Sequence, residues 1–84
     1  MAYESLFTVS NDRIMVTSVI PSPEGYRVRL YNAGGAPEEF RIKSGRIKIR
    51  TLKIIREDGS YEYIQPDKVL RLPAFGIMEP VLVK

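Results

Sequence analysis

The sequence predicts an all-β fold: a single antiparallel β-sandwich of immunoglobulin-like type, with about seven to eight short strands and essentially no helix. Turn-forming residues recur at intervals of roughly 8–12 residues, and the runs between them are rich in Val, Ile, Thr, Tyr and Phe. No segment combines a sustained 3.6-residue apolar period with a capping residue, which argues against helices.

Length and composition predict one domain that spans residues 1–84 and has no catalytic role. A domain of this size buries about 60–65% of its unfolded surface, which leaves little room for a deep cleft. The chain contains no Cys and no His. It therefore lacks a thiolate nucleophile and the commonest side chain for general-base catalysis and transition-metal binding. We expect no catalytic residue, no metal site and no cofactor.

The chain carries no signal for membrane insertion or export. No apolar run approaches the roughly 18 residues of a transmembrane helix. The first residues, Met1 to Ser5, lack the basic start and apolar core of a signal peptide. We expect no membrane contact and a cytoplasmic location, either as a complete protein or as a piece of a larger one.

The stretch Tyr26–Asn32 is the most informative strand. Apolar and basic residues alternate along it, and glycines bound it at Gly25 and at Gly34-Gly35. Period-two alternation predicts a half-buried strand, with Val28 and Leu30 facing the core and the arginines facing solvent. We expect it to be the central core strand.

The other strands follow from the same pattern. In Glu38–Lys43, Phe40 and Ile42 should face inward. In Arg46–Arg56 the apolar phase changes near Thr51, which predicts a β-bulge or a bend between two sheets. The remaining predicted strands are Leu6–Val9, Arg13–Ile20, Tyr61–Ile64, Lys68–Leu72 and Gly76–Val83.

Two turn signals carry further expectations. Asp58-Gly59 predicts a hairpin with a type I′ turn, since both residues tolerate positive φ angles. Pro80 has no backbone N–H, so the last strand should be an edge strand or be locally interrupted. If it is an edge strand, a homodimer could form by edge-strand pairing.

Two segments resemble the C-terminal β-sandwich domain of family 38 glycoside hydrolases, the α-mannosidases. Val28-Arg29-Leu30-Tyr31-Asn32 is similar to the (I/V)-x-R-L-(Y/F)-N strand of that family. Leu72-Pro73-Ala74-Phe75-Gly76-Ile77 and the following apolar strand are similar to its tail. Gly76 replaces the acidic residue usual after the tail Phe, and Glu79-Pro80 interrupts what is a plain strand in the family.

The resemblance implies an accessory role. In the family, zinc and the catalytic Asp belong to a separate domain, and the sandwich packs against the rest of the enzyme. We therefore expect a non-catalytic domain whose partner is the catalytic part of a glycoside hydrolase or a glycan. A purely structural role is favoured for the arginines and Asn32. Arg29 could pair with a carboxylate on a neighbouring strand, and Asn32 could fix the turn before Gly34.

Four residues are the candidate contacts for a ligand or partner: Arg29, Tyr31, Tyr61 and Tyr63. Tyr61 and Tyr63 are two apart, so they share one face of a strand and could stack on sugars or bases. Cross-strand packing is the favoured alternative for them.

Two other functions remain open. One is a small nucleic-acid-binding β-barrel that uses Arg46, Lys48, Arg50 and Lys53 with Tyr61 and Tyr63. A nucleic-acid partner is disfavoured, because the formal net charge is only +3 and clustered cations usually form the solvated faces of strands. The other is a stand-alone glycan-binding module.

Overall fold

The computed structural model describes residues 6–56 and 58–84, which form ten β-strands and no helix. Every strand pair in this part is antiparallel. The all-β antiparallel prediction is confirmed. Residues 1–5, which bear on the expected absence of a signal peptide, and Glu57 of the predicted hairpin lie outside the described residues. The strands are β1 Phe7–Val9, β2 Ile14–Ser22, β3 Gly25–Asn32, β4 Glu38–Phe40, β5 Ile42–Ser44, β6 Thr51–Ile55, β7 Tyr61–Ile64, β8 Leu70–Leu72, β9 Ile77–Met78 and β10 Val81–Val83.

Six strands form the main sheet, in the order β2-β3-β10-β6-β7, with β9 also pairing with β3. The first half of β3 pairs with β10 and its second half with β9. Val28 and Leu30 of β3 are fully buried, whereas Arg27 and Arg29 are exposed. The predicted central strand and its facing are confirmed.

Two short ribbons, β1-β5 and β4-β8, provide the rest of the core. Their inward side chains join those of the main sheet in a single apolar cluster, so the core lies between the main sheet and the ribbons. Its fully or almost fully buried members include Phe7 and Ile42 from one ribbon, Phe40 and Leu72 from the other, and Val28, Leu30, Leu52 and Leu82 from the main sheet.

The predicted strands Glu38–Lys43 and Arg46–Arg56 are divided or shortened in the structure. Glu38–Lys43 breaks at Arg41, so that β4 and β5 pair with different partners. Phe40 and Ile42 are both buried, so the inward facing was right. Residues 46–50 are not a strand. They lead from the β1-β5 ribbon to the main sheet, and β6 begins where the phase change predicted a bend.

The β6-β7 hairpin is present, but its turn differs from the type I′ turn predicted. The Arg56 N–H donates to the Ser60 carbonyl at 2.8 Å, and the Gly59 N–H donates to the Arg56 carbonyl at 3.0 Å. Gly59 has a φ of +87° and supplies the left-handed conformation that the turn requires.

Pro80 interrupts a strand in the interior of the main sheet. It separates β9 from β10 and is fully buried, and its carbonyl accepts a hydrogen bond from the Val28 N–H at 3.0 Å. The predicted interruption is confirmed. The edge position is wrong, because β10 lies between β3 and β6 and the edges of this sheet are β2 and β7. Pairing through β10 is therefore not a route to a homodimer.

Asn32 joins the end of β3 to the turn that follows β8. Its side-chain amide donates to the carbonyls of Ala36, Leu72 and Pro73 at 2.9–3.1 Å, and its Oδ1 accepts from the Gly34 N–H at 2.9 Å. Asn32 is fully buried. The expected role in fixing the turn is confirmed, and the same side chain connects the two segments that carry the family resemblance.

Candidate binding surface

The four candidate contact residues all lie on one surface, the side of the main sheet that points away from the core. Residues paired across antiparallel strands share a face. Tyr31 is paired with Ile77, and Arg29 shares its side of β3 because the two are separated by one residue. Tyr63 is paired with Lys53, and Lys53 with Val81, which is in turn paired with Arg27. We call this side of the main sheet the outer face.

Large apolar side chains are concentrated on the outer face. Two exposed large hydrophobic residues of the described part of the chain lie elsewhere: Val69, which is 43% exposed, and Phe75, which is 62% exposed. The other exposed large hydrophobic residues are assigned to the outer face by their register. They are Met15, Ile20, Ile55, Tyr61, Tyr63 and Ile77, with exposures between 37% and 62%. Six exposed apolar residues on one side of a sheet, interspersed with charged residues, are a candidate for a binding face.

Arg27 and Arg29 share one carboxylate at the middle of the outer face. Glu79 Oε2 lies 3.8 Å from Arg27 Nε and 3.5 Å from Arg29 Nη2. Arg29 pairs with a carboxylate as expected, but Glu79 lies between β9 and β10 and not in a neighbouring strand. Both guanidinium side chains remain 51% exposed. A depression of about 360 Å³ adjoins this pair and is lined in part by Ile55 and Ile77.

A compact cluster beside β6 and β7 of the outer face contains Glu24, Lys53 and two tyrosines. Lys53 Nζ is 3.0 Å from Glu24 Oε1, and the Tyr63 hydroxyl donates to Glu24 Oε2 at 3.2 Å. Lys53 Nζ also lies 4.4 Å from the centroid of the Tyr61 ring. The two rings meet edge to face at 5.7 Å. Lys53 therefore lies over one face of Tyr61, while the residue remains 55% exposed.

These contacts shift the protonation equilibria of the cluster. The hydrogen bond from Lys53 holds the pKa of Glu24 below its ordinary value of 4.5. The same bond raises the pKa of Lys53 above 10.5. Burial, followed by the bond to Glu24, raises the pKa of Tyr63. Glu24 and Lys53 are thus a charged pair at neutral pH.

We expect the contribution of Glu24 to stability to disappear at acidic pH. Its pKa is lower in the folded than in the unfolded chain, so the contribution is fully present above about 4.5 and is lost as the pH falls through the folded value. Thermal unfolding from pH 7 to pH 2.5 should show a smaller acid-induced decrease in Tm for Glu24→Gln than for the wild type. Glu39→Gln, which replaces an exposed carboxylate, is the control. Parallel profiles for Glu24→Gln and the wild type would contradict this assignment.

The cationic and aromatic residues predicted to bind nucleic acid are divided between two surfaces. Lys53, Tyr61 and Tyr63 belong to the outer face, where Glu24 neutralises Lys53. The others, Arg46, Lys48 and Arg50, line an open cavity of about 600 Å³ together with Lys84, Tyr26 and Ile47. We call this cavity the basic groove. The predicted six-residue set is therefore not one site.

Sequence reasoning missed Tyr26 and Lys84 as parts of the basic groove. Lys84 follows β10, and its N–H donates to the Glu24 carbonyl at 3.0 Å, beside the start of β3. This places Lys84 Nζ 5.5 Å from the centroid of the Tyr26 ring. The two residues are distant in sequence, so only the pairing of β10 with β3 brings them together.

Among residues 6–56 and 58–84, no group of three or more Asp, Glu, His or Cys side chains is arranged to hold a metal ion. Glu38 accepts hydrogen bonds from Asn11 at 2.9 Å and Arg13 at 3.2 Å. These bonds, that from Asn11 first, lower the pKa of Glu38. In the same part of the chain, no helix has the length and apolar character needed to cross a membrane.

Comparisons with known proteins identify no relative, so a function has to be inferred from the outer face and the basic groove. No protein-family model matches the chain, and no curated protein or solved structure is significantly similar to it.

Proposed function

We propose that this chain is a non-catalytic accessory β-sandwich domain that packs its outer face against a larger glycoside hydrolase. The observation that carries the proposal is the concentration of exposed apolar side chains on that face, from Ile20 at one side to Tyr61 at the other. The resemblance to the C-terminal sandwich of α-mannosidases supplies the class of partner.

The side chains of the outer face are better suited to a protein partner than to a sugar chain. Met15, Ile20, Ile55 and Ile77 are aliphatic side chains, which do not offer the flat aromatic platform on which sugars stack. The aromatic pair at its edge is occupied by Lys53 and by an edge-to-face ring contact. Arginines at the centre of a face, with aliphatic and aromatic side chains around them, are typical of protein interfaces.

The charges of the face define the complementary surface. Arg27 and Arg29 share the single carboxylate of Glu79, so one positive charge is left without a counterion at the centre of the face. A partner with an apolar patch and at least one acidic residue opposite these arginines would complete the pairing. Such a pairing would fix orientation and speed up association more than it would raise affinity.

A titration with a family 38 glycoside hydrolase polypeptide from the same genome tests the proposal. We expect a 1:1 complex with a micromolar or lower Kd, measured by isothermal titration calorimetry. Ile77→Glu should weaken binding at least about 100-fold, because a charge would be buried without a partner in the interface. Val69→Glu is the matched control. It places the same charge at an exposed apolar residue off the outer face and should change Kd by less than about threefold.

Three outcomes would overturn the proposal. The first is the absence of a complex with that enzyme. The second is an equal effect of the two glutamate substitutions. The third is hydrolysis of aryl glycosides by the isolated chain, which would contradict the non-catalytic assignment. Binding of manno-oligosaccharides by the isolated chain, without binding to the enzyme, would favour the glycan-binding alternative instead.

A further inference from the structure

Residues 45–50 form one side of the basic groove. Ile47 and Ile49 are buried in the core at 7% and 4% exposure, so the alternate residues Arg46, Lys48 and Arg50 point away from it. The apolar pair thus anchors the segment and places three cations along one wall of the groove.

Hydrogen bonds hold this segment in place. The Ile47 N–H donates to the Leu6 carbonyl at 3.2 Å, and the Arg50 N–H donates to the Val83 carbonyl at 2.8 Å. The Ile49 N–H donates to Ser44 Oγ at 3.1 Å. The backbone beneath the cations is therefore fixed before any ligand arrives, which lowers the entropic cost of binding.

The cations of the groove lack counterions, unlike those on the outer face. Within the described residues, the side chains of Arg46, Lys48, Arg50 and Lys84 take part in no ion pair, and no Asp or Glu side chain lines the cavity. The cations that do form pairs are Arg13, Arg27, Arg29, Lys53 and Arg56. Four unpaired positive charges around one cavity favour a ligand with several negative charges.

The floor of the groove is apolar and partly aromatic. Tyr26 is half-buried, and Lys84 Nζ lies 5.5 Å from its ring centroid. Ile47 adds aliphatic surface beside it. An aromatic ring next to cations is the arrangement that binds single-stranded nucleic acid, in which bases stack on rings and phosphates lie against Lys and Arg. A duplex keeps its base faces stacked inside and could not use the ring.

We infer that the basic groove binds single-stranded nucleic acid, with phosphates against Arg46, Lys48, Arg50 and Lys84 and a base against Tyr26. This inference goes beyond the proposed function, because it uses a different surface. It also replaces the sequence-based cationic set, since Lys53, Tyr61 and Tyr63 take no part in it.

Two triple variants with equal net charge test the electrostatic part. Arg46→Gln/Lys48→Gln/Arg50→Gln removes three groove charges. Arg41→Gln/Lys43→Gln/Arg71→Gln removes three exposed charges elsewhere. Each variant lowers the formal net charge from +3 to 0. Binding of a fluorescently labelled single-stranded RNA of about ten nucleotides is measured by anisotropy at about 50 mM salt. The groove variant should bind at least about 30-fold more weakly, and the control should stay within about threefold of the wild type.

The salt dependence and the ring supply independent readouts. In the wild type, log K should fall with log salt with a slope of about −2 to −3, as expected for three to four phosphates on a single strand. The groove variant should lose about two units of that slope. Tyr26→Leu should weaken binding about tenfold without changing the slope, whereas Tyr26→Phe keeps the ring and should bind like the wild type. Thermal unfolding verifies that each variant is folded.

The inference fails if the wild type does not bind the RNA at about 50 mM salt, or if both triple variants lose affinity equally. Stronger binding of a duplex, or of a poly-glutamate peptide of equal charge, would also overturn it. Ile77→Glu, which affects only the outer face, should bind the RNA like the wild type, so this result and the enzyme titration are independent.

Discussion

Replacing Gly25 with alanine is expected to destabilise the protein by about 3–5 kcal/mol. A Cβ at this position would lie 2.0 Å from the carbonyl oxygen of Leu82 and 3.2 Å from the backbone nitrogen of Lys84. Gly25 also has a φ of +157°. The clash is with backbone atoms of β10, which cannot move without losing its pairing with both β3 and β6. A domain of this size is stable by only about 0.05–0.15 kcal/mol per residue, so much of the total would be lost.

Chemical and thermal unfolding measure this effect. For a domain of fewer than 100 residues, the expected loss corresponds to a decrease in Tm of at least about 12 °C. Gly35→Ala is the matched control, because a Cβ there would meet no atom within 4 Å. It should be neutral or stabilise the protein by up to about 1 kcal/mol. Equal stability of the two alanine variants would show that β10 does not lie as close to Gly25 as the structure places it.

Replacing Asn32 with aspartate is expected to cost about 3–5 kcal/mol at pH 7. The change removes the amide that donates to the carbonyls of Ala36, Leu72 and Pro73, and it introduces a carboxylate that can only accept. Asn32 is fully buried, so the new negative charge would face three carbonyl oxygens without water.

The pH dependence of Asn32→Asp distinguishes charge repulsion from a simple loss of packing. Burial raises the pKa of the introduced carboxyl, so it should take up a proton as the pH falls and regain one donor. The stability difference from the wild type should therefore become smaller toward pH 4. Gln65→Glu, which adds the same charge at an exposed residue, should stay within about 0.5 kcal/mol of the wild type. A pH-independent difference for Asn32→Asp would contradict a buried carboxylate.

Much of the architecture could be read from the sequence, because alternation records which side of a strand is buried. Tyr26–Asn32 and Tyr61–Ile64 were placed within one residue of the observed strands. Phe40 and Ile42 also face inward as predicted. Their common period continues through Arg41, however, and gives no sign that the strand changes partner there. The period of the apolar residues shows which side of a strand is buried. Which strands pair with each other depends on contacts between segments that are distant in sequence.

The same limit applied to the candidate surfaces. The sequence identified Arg29, Tyr31, Tyr61 and Tyr63 singly or as one pair, and the register of β3, β10, β6 and β7 shows that they share a face. The basic groove could not be predicted either, since Lys84 approaches Tyr26 through the pairing of β10 with β3. The interior position of β10 was obscured by Pro80, whose missing N–H usually indicates an edge.

The central position of β10 has a consequence for how the chain folds. Strands β2 and β3 form one local hairpin and β6 and β7 another, and each can form from neighbouring residues. Within the described residues, the two hairpins are joined into one sheet by residues 81–83, which pair with both at once. During synthesis, the sheet therefore cannot be completed until these residues leave the ribosome, and earlier nascent chains expose the edges of β3 and β6 that β10 later covers. Such long-range strand pairing is slow, on the order of milliseconds to seconds. During that interval the chain can misfold or be bound by a chaperone.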